Sequence, residues 1–374
     1  MQDSIPKQQE SDKIAPKKLS KRARSFSKIK RRFLKHVWLA RVTILAAILV
    51  LLYLVVLVIG LIFRNTAVSN FFEITSSFIF TPKEKIQSIE GRTNILIMGK
   101  GGAGHDAPDL TDTIIFASFS HKDPSIILIS LPRDIWIPEL RAKLNSIYYW
   151  GNQKEEKGGV TLAKSTVEEI IGRPIHYGVV LDFAGFTKLI DVLGGIEIEV
   201  ERAFVDEKYP IPGRENDECD GDPEYQCRYE TIRYDEGRQI MNGETALKFV
   251  RSRNAEGDEG TDLARAARQE KVIVAIKEKI LSPKILFSLK KISGIFRVAR
   301  ESLETDIDAS AGAILARRTL QAKNEMKTYV LPEEFLINPP KSVRYDSLYV
   351  FIPKDGDWEE IHKWVDCQLD KECN

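Results

Sequence analysis

Histidine and cysteine are scarce in this chain, at five and four among 374 residues. His36, His105, His121, His176 and His362 stand far apart, and no two cysteines form a C-x-x-C pair. These spacings argue against a zinc site. They also supply no Cys–His or Ser-His-Asp arrangement for nucleophilic catalysis. A G-K-[ST] phosphate loop is missing, as is a Rossmann fingerprint. No stretch rich in Gly, Ser and Pro cuts off a C-terminal domain, and no internal repeat occurs.

Acid is what the amino end lacks. Residues 1–41 hold thirteen of the 55 Lys/Arg but only three of the 54 Asp/Glu, a local balance of +10, so the rest of the chain carries −9. The formal net charge of +1 therefore describes neither part. Between them, "VTILAAILVLLYLVVLVIGLIF" (42–63) is free of charge and long enough to cross a bilayer core of roughly 30 Å as a helix. The run exceeds a signal-peptide core, no small-residue cleavage pattern follows it, and it has no polar face. The positive-inside rule then puts residues 1–41 in the cytoplasm as a disordered basic tail and the remainder outside. Charge alone is weak evidence for nucleic-acid binding; beside a membrane span, topology and attraction to anionic lipid account for the tail. The expected organisation is tail 1–41, transmembrane helix 42–63, stem 64–90 and an extracytoplasmic domain 91–374.

All four cysteines lie beyond the span, where disulfides persist. Local pairs Cys219–Cys227 and Cys367–Cys373 are the economical choice among three connectivities. The apolar runs at 94–99, 113–120 and 125–132 read as strands buried on both faces. Further along, 159–172 reads as a helix, "IHYGVVL" as a strand, "DFAGFTKLIDVLGG" as a helix with an Asp cap and "IEIEV" as a strand. Residues 201–238, acidic and interrupted by Pro and Gly, read as a hairpin-like surface excursion whose acids match no EF-hand spacing. Helices are expected at 243–252 and 261–281. Two more follow Pro283, then strands near 327–331 and 347–352 and a last helix. The fold class is α/β, with a largely parallel or mixed central sheet sandwiched by helices.

Three stretches could carry chemistry. "GKGGAGHDAPDLTDT" (99–113) places glycines whose backbone N–H groups can approach an anion, and Asp112 at a strand start can hold Mg²⁺. In "SLPRDIWIP" (130–138), Arg133 and Asp134 directly follow a buried strand, at the end where open α/β sheets bind ligands. In "LKFVRSRNAEGDEGTDLARAARQEK" (247–271), Arg251, Arg253, Arg265 and Arg268 flank one loop, and Arg265, Arg268 and Gln269 share a helix face with Asp262 a turn earlier. Guanidinium groups suit bidentate capture of carboxylate or phosphate, although a solvated ion-pair network with the neighbouring acids is an equal reading of that stretch alone. Together the three make a basic, Mg²⁺-capable pocket matched to a pyrophosphate.

Read in series, "NILIMG…LTDTIIFASF…ISLPRDIWIP…GGVTLAKSTVEEIIG…VVLDFAGFTKLIDVLGGIEIEV…MNGETALKFVRSR…DLARAARQEKV" resembles the LytR-CpsA-Psr family of bacterial envelope proteins. The likeness is strongest over 90–282. It implies a membrane-anchored phosphotransferase of cell-wall biogenesis that moves a glycopolymer from a polyprenyl-pyrophosphate carrier to peptidoglycan, with pyrophosphatase as a side activity. By that resemblance Asp112 would hold Mg²⁺, and Arg133, Arg251, Arg253, Arg265 and Arg268 would grip the pyrophosphate. Gln269 would bond the head group, while Asp134 and Asp262 would orient arginines or serve in base catalysis. The chain departs from the family pattern at "GKGGAGH", where an Asp is usual, and at Leu110, where an Arg is usual. Lys100, His105, Asp106 and Asp109 are the local candidates to substitute. The departures also motivate an alternative of another class, a non-catalytic or regulatory glycolipid-binding envelope protein.

Overall fold

The computed structural model describes residues 48–54, 82, 85–103, 105, 107–322 and 325–370. The chain divides into two compact units, Met1–Ser69 and Asn70–Asn374. In the first unit, 48–54 are helical and exposed. Among the described residues no helix is long and apolar enough to cross a membrane. The rest of the expected span, the tail and most of the stem lie outside the described residues.

The second unit opens with strands β1 (Arg92–Lys100), β2 (Thr111–Ser120) and β3 (Ile126–Ser130), then a small ladder of β4 (Trp136–Ile137) and β5 (Ala142–Lys143). Helices α1 (Ile147–Lys154) and α2 (Gly158–Ile171) lead to β6 (Tyr177–Asp182), α3 (Phe183–Leu193) and β7 (Ile196–Val200). Strands β8 (Phe204–Pro210), β9 (Tyr229–Tyr234) and β10 (Gly237–Met241) precede α4 (Gly243–Arg251), α5 (Asp262–Ile280), α6 (Pro283–Leu286) and α7 (Leu289–Ser302). The chain continues through β11 (Leu303–Thr305), α8 (Ala309–Gln321), β12 (Met326–Val330), the paired β13 (Leu336–Ile337) and β14 (Ile352–Pro353), and α9 (Glu359–Asp370).

The central sheet has six strands in the order β11-β6-β1-β2-β3-β12. It is mixed rather than largely parallel: β1, β2 and β3 form an antiparallel meander and β11 runs against β6, leaving only β1·β6 and β3·β12 parallel. The reason is local, because the connections 101–110 and 121–125 are too short for the crossover of a dozen or more residues that parallel neighbours need. Four of the six strands nevertheless point the same way, so the carboxyl ends of β1, β3, β6 and β12 share one edge. Strand β11 was not expected, and the strand expected at 347–352 is only β14.

Alternation along the strands explains their nearly unbroken apolar runs. Leu96, Met98, Ile114, Phe116, Ile127 and Ile129 pack with α2 residues Val160, Val167 and Ile170 on one face. Ile95, Ile115, Ala117, Ile126 and Leu128 pack with Ala311, Ile314 and Leu315 of α8 on the other. Helices thus cover both faces, as expected. A separate core, built from α3, β7–β10, α4 and α5, includes Ile190, Ile198, Phe204, Tyr234, Phe249 and Val272. The excursion 201–238 is the hairpin β8–β9, with Cys219 bonded to Cys227 as expected. Cys367 is also in a disulfide; its expected partner, Cys373, lies outside the described residues.

Candidate active site at the sheet edge

The end of β1 and the start of β2 do not pair evenly. Gly99 faces Thr113 and Lys100 faces Thr111, so Asp112 is the extra residue of a bulge. Bulges re-aim side chains. Asp112 meets Arg133, which follows β3, in an ion pair through Nη1 and Oδ1. Arg133 Nε also lies 3.5 Å from Asp134 Oδ2, and Lys143 Nζ bonds Asp134 Oδ1 at 2.6 Å. Asp134 is buried between two cations. The backbone fixes this corner: Asn145 N donates to Arg133 O at 3.0 Å, and Thr111 Oγ1 donates to Asn145 O at 3.1 Å.

Lys100, at the carboxyl end of β1, pairs with Asp109 at 2.8 Å and reaches the Tyr148 hydroxyl at 3.3 Å. Tyr148 in turn donates to Glu304 of β11. Burial disfavours the Lys100 charge, but Asp109 and Tyr148 outweigh it and hold the ammonium above its ordinary range. Burial, then the bond to Glu304, pushes the Tyr148 phenol up as well. Both groups thus keep their protons, and the relay is a fixed positive post rather than a base.

The Gly-rich loop folds back on itself, with Gly102 N donating to Pro108 O at 2.8 Å. Gly102 takes φ +78°, and a Cβ there would come within 2.8 Å of Asp182 Cβ, so only glycine fits this approach to β6. His105 meets Phe183 edge-on, ring centroids 5.2 Å apart. Arg251 also meets this ring, its guanidinium 4.4 Å from the Phe183 centroid and 5.7 Å from that of Tyr209. Tyr209 OH also accepts from Arg251 at 3.3 Å. Phe183 is the first residue after β6, so it links the loop after β1 to the end of α4.

Arg268 differs from the expectation. It is buried, and its three nitrogens bond Phe249 O (3.0 Å), Glu259 O and Oε2 (2.8 and 2.9 Å) and Ser252 O (2.7 Å). A guanidinium engaged on every nitrogen is a brace for the loop 252–261, not a phosphate ligand. Asp206, fully buried, braces the same loop from β8, accepting from Ser252 Oγ (2.7 Å), Arg253 N (3.1 Å) and Asn254 N (3.2 Å). Arg253 is exposed on that loop, while Arg265 and Gln269 are half-buried on α5. Asp262 opens α5 after its Thr261 cap; its side chain, like all of Asp106, lies outside the described residues. A cleft of about 430 Å³ opens behind the brace, between Arg202, Phe204, Glu259, Arg268 and Lys271. Its cations are already paired with Asp258, Glu259 and Glu201, so it offers no free charge to an anion.

The structure therefore joins Asp112, Arg133 and Asp134 in one ion-paired group, and joins His105 to Arg251 through Phe183. Sequence reasoning missed Phe183, Tyr148, Tyr209, Lys143 and Asp206. Phe183 had a signal, since it directly follows an expected strand and its Asp182 cap, and strand ends are where open α/β sheets bind ligands. Asp206 and Tyr209 were hidden among the acids of an apparent surface loop; a bulge between them breaks the alternation that marks β8.

Residues 66–365 match the model of the LytR_cpsA_psr family. The chain belongs to that family. The polyisoprenyl-teichoic acid–peptidoglycan teichoic acid transferase TagU of Enterococcus faecalis is 29% identical over 220 residues, which cover 57% of this chain and 61% of that protein. A Bacillus subtilis protein with the same descriptive name, TagV, is 26% identical over 291 residues, covering 74% of this chain and 64% of its own. The chain thus spans somewhat less than two thirds of these relatives. The crystal structure of B. subtilis TagV shares the fold, with a TM-score of 0.53 at 23% identity over 76% of this chain and 99% of that one. Asp109 and Tyr148 hold Lys100, one of the four expected substitutes, in place at the end of β1.

Proposed function

We propose that this protein is a glycopolymer phosphotransferase, moving a polymer from a polyprenyl-pyrophosphate carrier to peptidoglycan. The observation that carries the reading is the sheet edge itself, where Arg133 is held between Asp112 and Asp134 while Phe183 holds Arg251 beside the Gly-rich loop. The names of the transferases among its relatives support it. Arg133 and Arg251, with Arg253 and Arg265, take the two phosphates. Lys100 adds the positive charge that Leu110 does not. Asp134 orients Arg133, since both its oxygens already face cations. Asp262, the residue that opens α5, accepts the proton of the attacking sugar hydroxyl in this reading. That hydroxyl forms a bond to the glycan-linked phosphorus, and polyprenyl phosphate departs. With water as the nucleophile, the same site hydrolyses the pyrophosphate. Such catalysis consists mostly of positioning and charge neutralisation.

The residues present fit Mg²⁺. Asp112 is 44% exposed at its side chain, with Arg133 on Oδ1; one carboxylate plus phosphate oxygens is a donor set this ion accepts. When bound, the ion would neutralise charge on the phosphate oxygens. By contrast Asp217, Cys219 and Cys227, clustered at metal-ligand distances, do not fit a metal because the cysteines are bonded to each other. The charge asymmetry about 42–63 supports a single-pass protein of the cell membrane, with its amino terminus in the cytoplasm and the catalytic domain outside.

One observation favours a glycolipid-binding regulator instead: Lys100 is partly neutralised by Asp109, next to Leu110, where the family resemblance implies an arginine. Full-length protein given a polyprenyl-pyrophosphate-linked glycan, peptidoglycan fragments and Mg²⁺ separates the two readings. The transferase releases polyprenyl phosphate in proportion to polymer attached, and Arg251→Ala stops it. Saturable binding with no release in either protein would sink the enzymatic reading.

A further inference from the structure

Away from the sheet edge, α6, the turn after it and α7 present a surface that is left exposed among the described residues. Phe287 is 89% exposed, Leu289 58%, Phe296 44% and Leu286 42%. Single exposed apolar residues are ordinary, but four large ones within eleven positions are not. The geometry of α7 shows why they point outwards. Its inner face is fixed by Gly294, whose added Cβ would lie 2.8 Å from Val192 of α3, by buried Val298, and by Lys291, which bonds Leu193 O at 2.9 Å. At 100° per residue, Leu289, Phe296 and Arg300 fall opposite that face, and Arg297 beside them. Packing against α3 therefore turns the apolar stripe to the outside.

Charge marks the same segment. Residues 282–300 contain five Lys/Arg (Lys284, Lys290, Lys291, Arg297 and Arg300) and no Asp/Glu, in a chain whose portion beyond residue 41 is net acidic. Lys284, Lys290, Arg297 and Arg300 enter no ion pair among the described residues. Lys and Arg elsewhere in the domain are commonly matched with acids, as Lys164 is with Asp306 and Lys248 with Glu230 and Glu244.

We infer that the outer face of 284–300 is a membrane-contact surface, with Phe287, Leu286, Leu289 and Phe296 entering the interfacial region of a bilayer and Lys284, Lys290, Arg297 and Arg300 facing its anionic headgroups. An amphipathic segment with aromatic and leucine side chains on one face and unpaired cations at its rim matches the lipid interface in both chemistry and charge. A soluble polyanion would use the cations but leave Phe287 in water. A second copy of this chain would bring the same positive charge against itself. The contact is independent of the transfer reaction and of the expected span 42–63.

The test is hydrogen exchange on the full-length protein reconstituted into vesicles, read at peptides covering 284–300. On vesicles of phosphatidylglycerol and phosphatidylcholine, exchange in this segment should slow relative to vesicles of phosphatidylcholine alone. Phe287→Ser should abolish the difference. Lys290→Ser should reduce it by about fivefold, as expected for ~1 kcal/mol per basic residue at an anionic surface. Both residues are exposed, so exchange in the central sheet should not change, which separates loss of contact from loss of fold. Slowing that is equal on both vesicle types and indifferent to the variants overturns the inference. So does slowing that grows with protein concentration, which indicates self-association, or slowing produced by soluble polyphosphate without vesicles. Because the readout is exchange and not turnover, its outcome is separate from that of the transferase assay.

Discussion

Arg251 and Arg268 lie seventeen positions apart in one arginine-rich stretch and do opposite work. Arg251 ends α4 half-buried, its guanidinium laid on the rings of Phe183 and Tyr209. Aromatic faces hold a cation in place while leaving most of its N–H groups for a ligand. Arg268 lies inside the second core, where burial lowers its pKa against the pull of Glu259, and its nitrogens are spent on three carbonyls and one carboxylate. The contrast teaches that an arginine cluster need not be one site. Part of the charge rests on aromatic rings beside the Gly-rich loop, and part is spent holding the loop 252–261.

The sharpest way to break this comparison is Arg251→Ala. Loss of one preorganised charge at a phosphoryl centre should reduce transfer by about 100- to 1,000-fold, while stability to urea changes by less than about 1 kcal/mol. Equal losses of both would make Arg251 a structural residue too. Arg268→Met should do the reverse, lowering unfolding free energy by ~3 kcal/mol because Glu259 and three carbonyls lose their donor. Turnover by the molecules that remain folded should survive in part. A smaller effect is expected for Asp206→Ala, about 2 kcal/mol in urea titrations, since it strands the amides of Arg253 and Asn254 and the Ser252 hydroxyl. It should also speed hydrogen exchange across 252–261.

The smallest effect concerns His176, beyond both arginines. Burial lowers its pKa below the ordinary 6.5, and its Nδ1 accepts from Asn94 N at 3.0 Å, which requires the neutral ring. The unfolded chain therefore takes up this proton first as pH falls. The contribution is whole above about 6.5 and is lost as pH drops through the lower folded-state value. Between about pH 7.5 and pH 5.5 the urea midpoint should fall by a fraction of a kcal/mol in equivalent stability, the ring being only partly buried. His176→Gln should flatten that slope and leave the Arg251–Arg268 contrast untouched.

Much of the fold was legible because its cause is local. Strands β1, β2, β3, β6 and β7 lie within a few residues of the expected apolar runs, and the caps Asp182 and Thr261 accept from Gly185 N and Ala264 N as their positions suggest. Strand direction was less legible, because the apolar runs of a sheet covered on both faces look alike whether neighbours are parallel or not. Strand β11, three residues long, has no periodicity to read. At the site, Asp112, Arg133 and Asp134 stood out as charges next to buried strands, whereas the aromatic seat of Arg251 combines residues 183, 209 and 251, which no local pattern connects.

The sequence by itself determined the two-faced apolar strands, the capped helices, the charge asymmetry about a long apolar run and the arginines and acids set beside strand and helix ends, since each follows from spacing or composition over a few turns of chain. Only the tertiary structure decided which arginine is offered and which is enclosed, why Lys100 stays protonated, and which way the apolar stripe of α7 points. Those outcomes depend on what packs against a side chain from far along the chain, and burial and partners, not identity, set what a charged group can do.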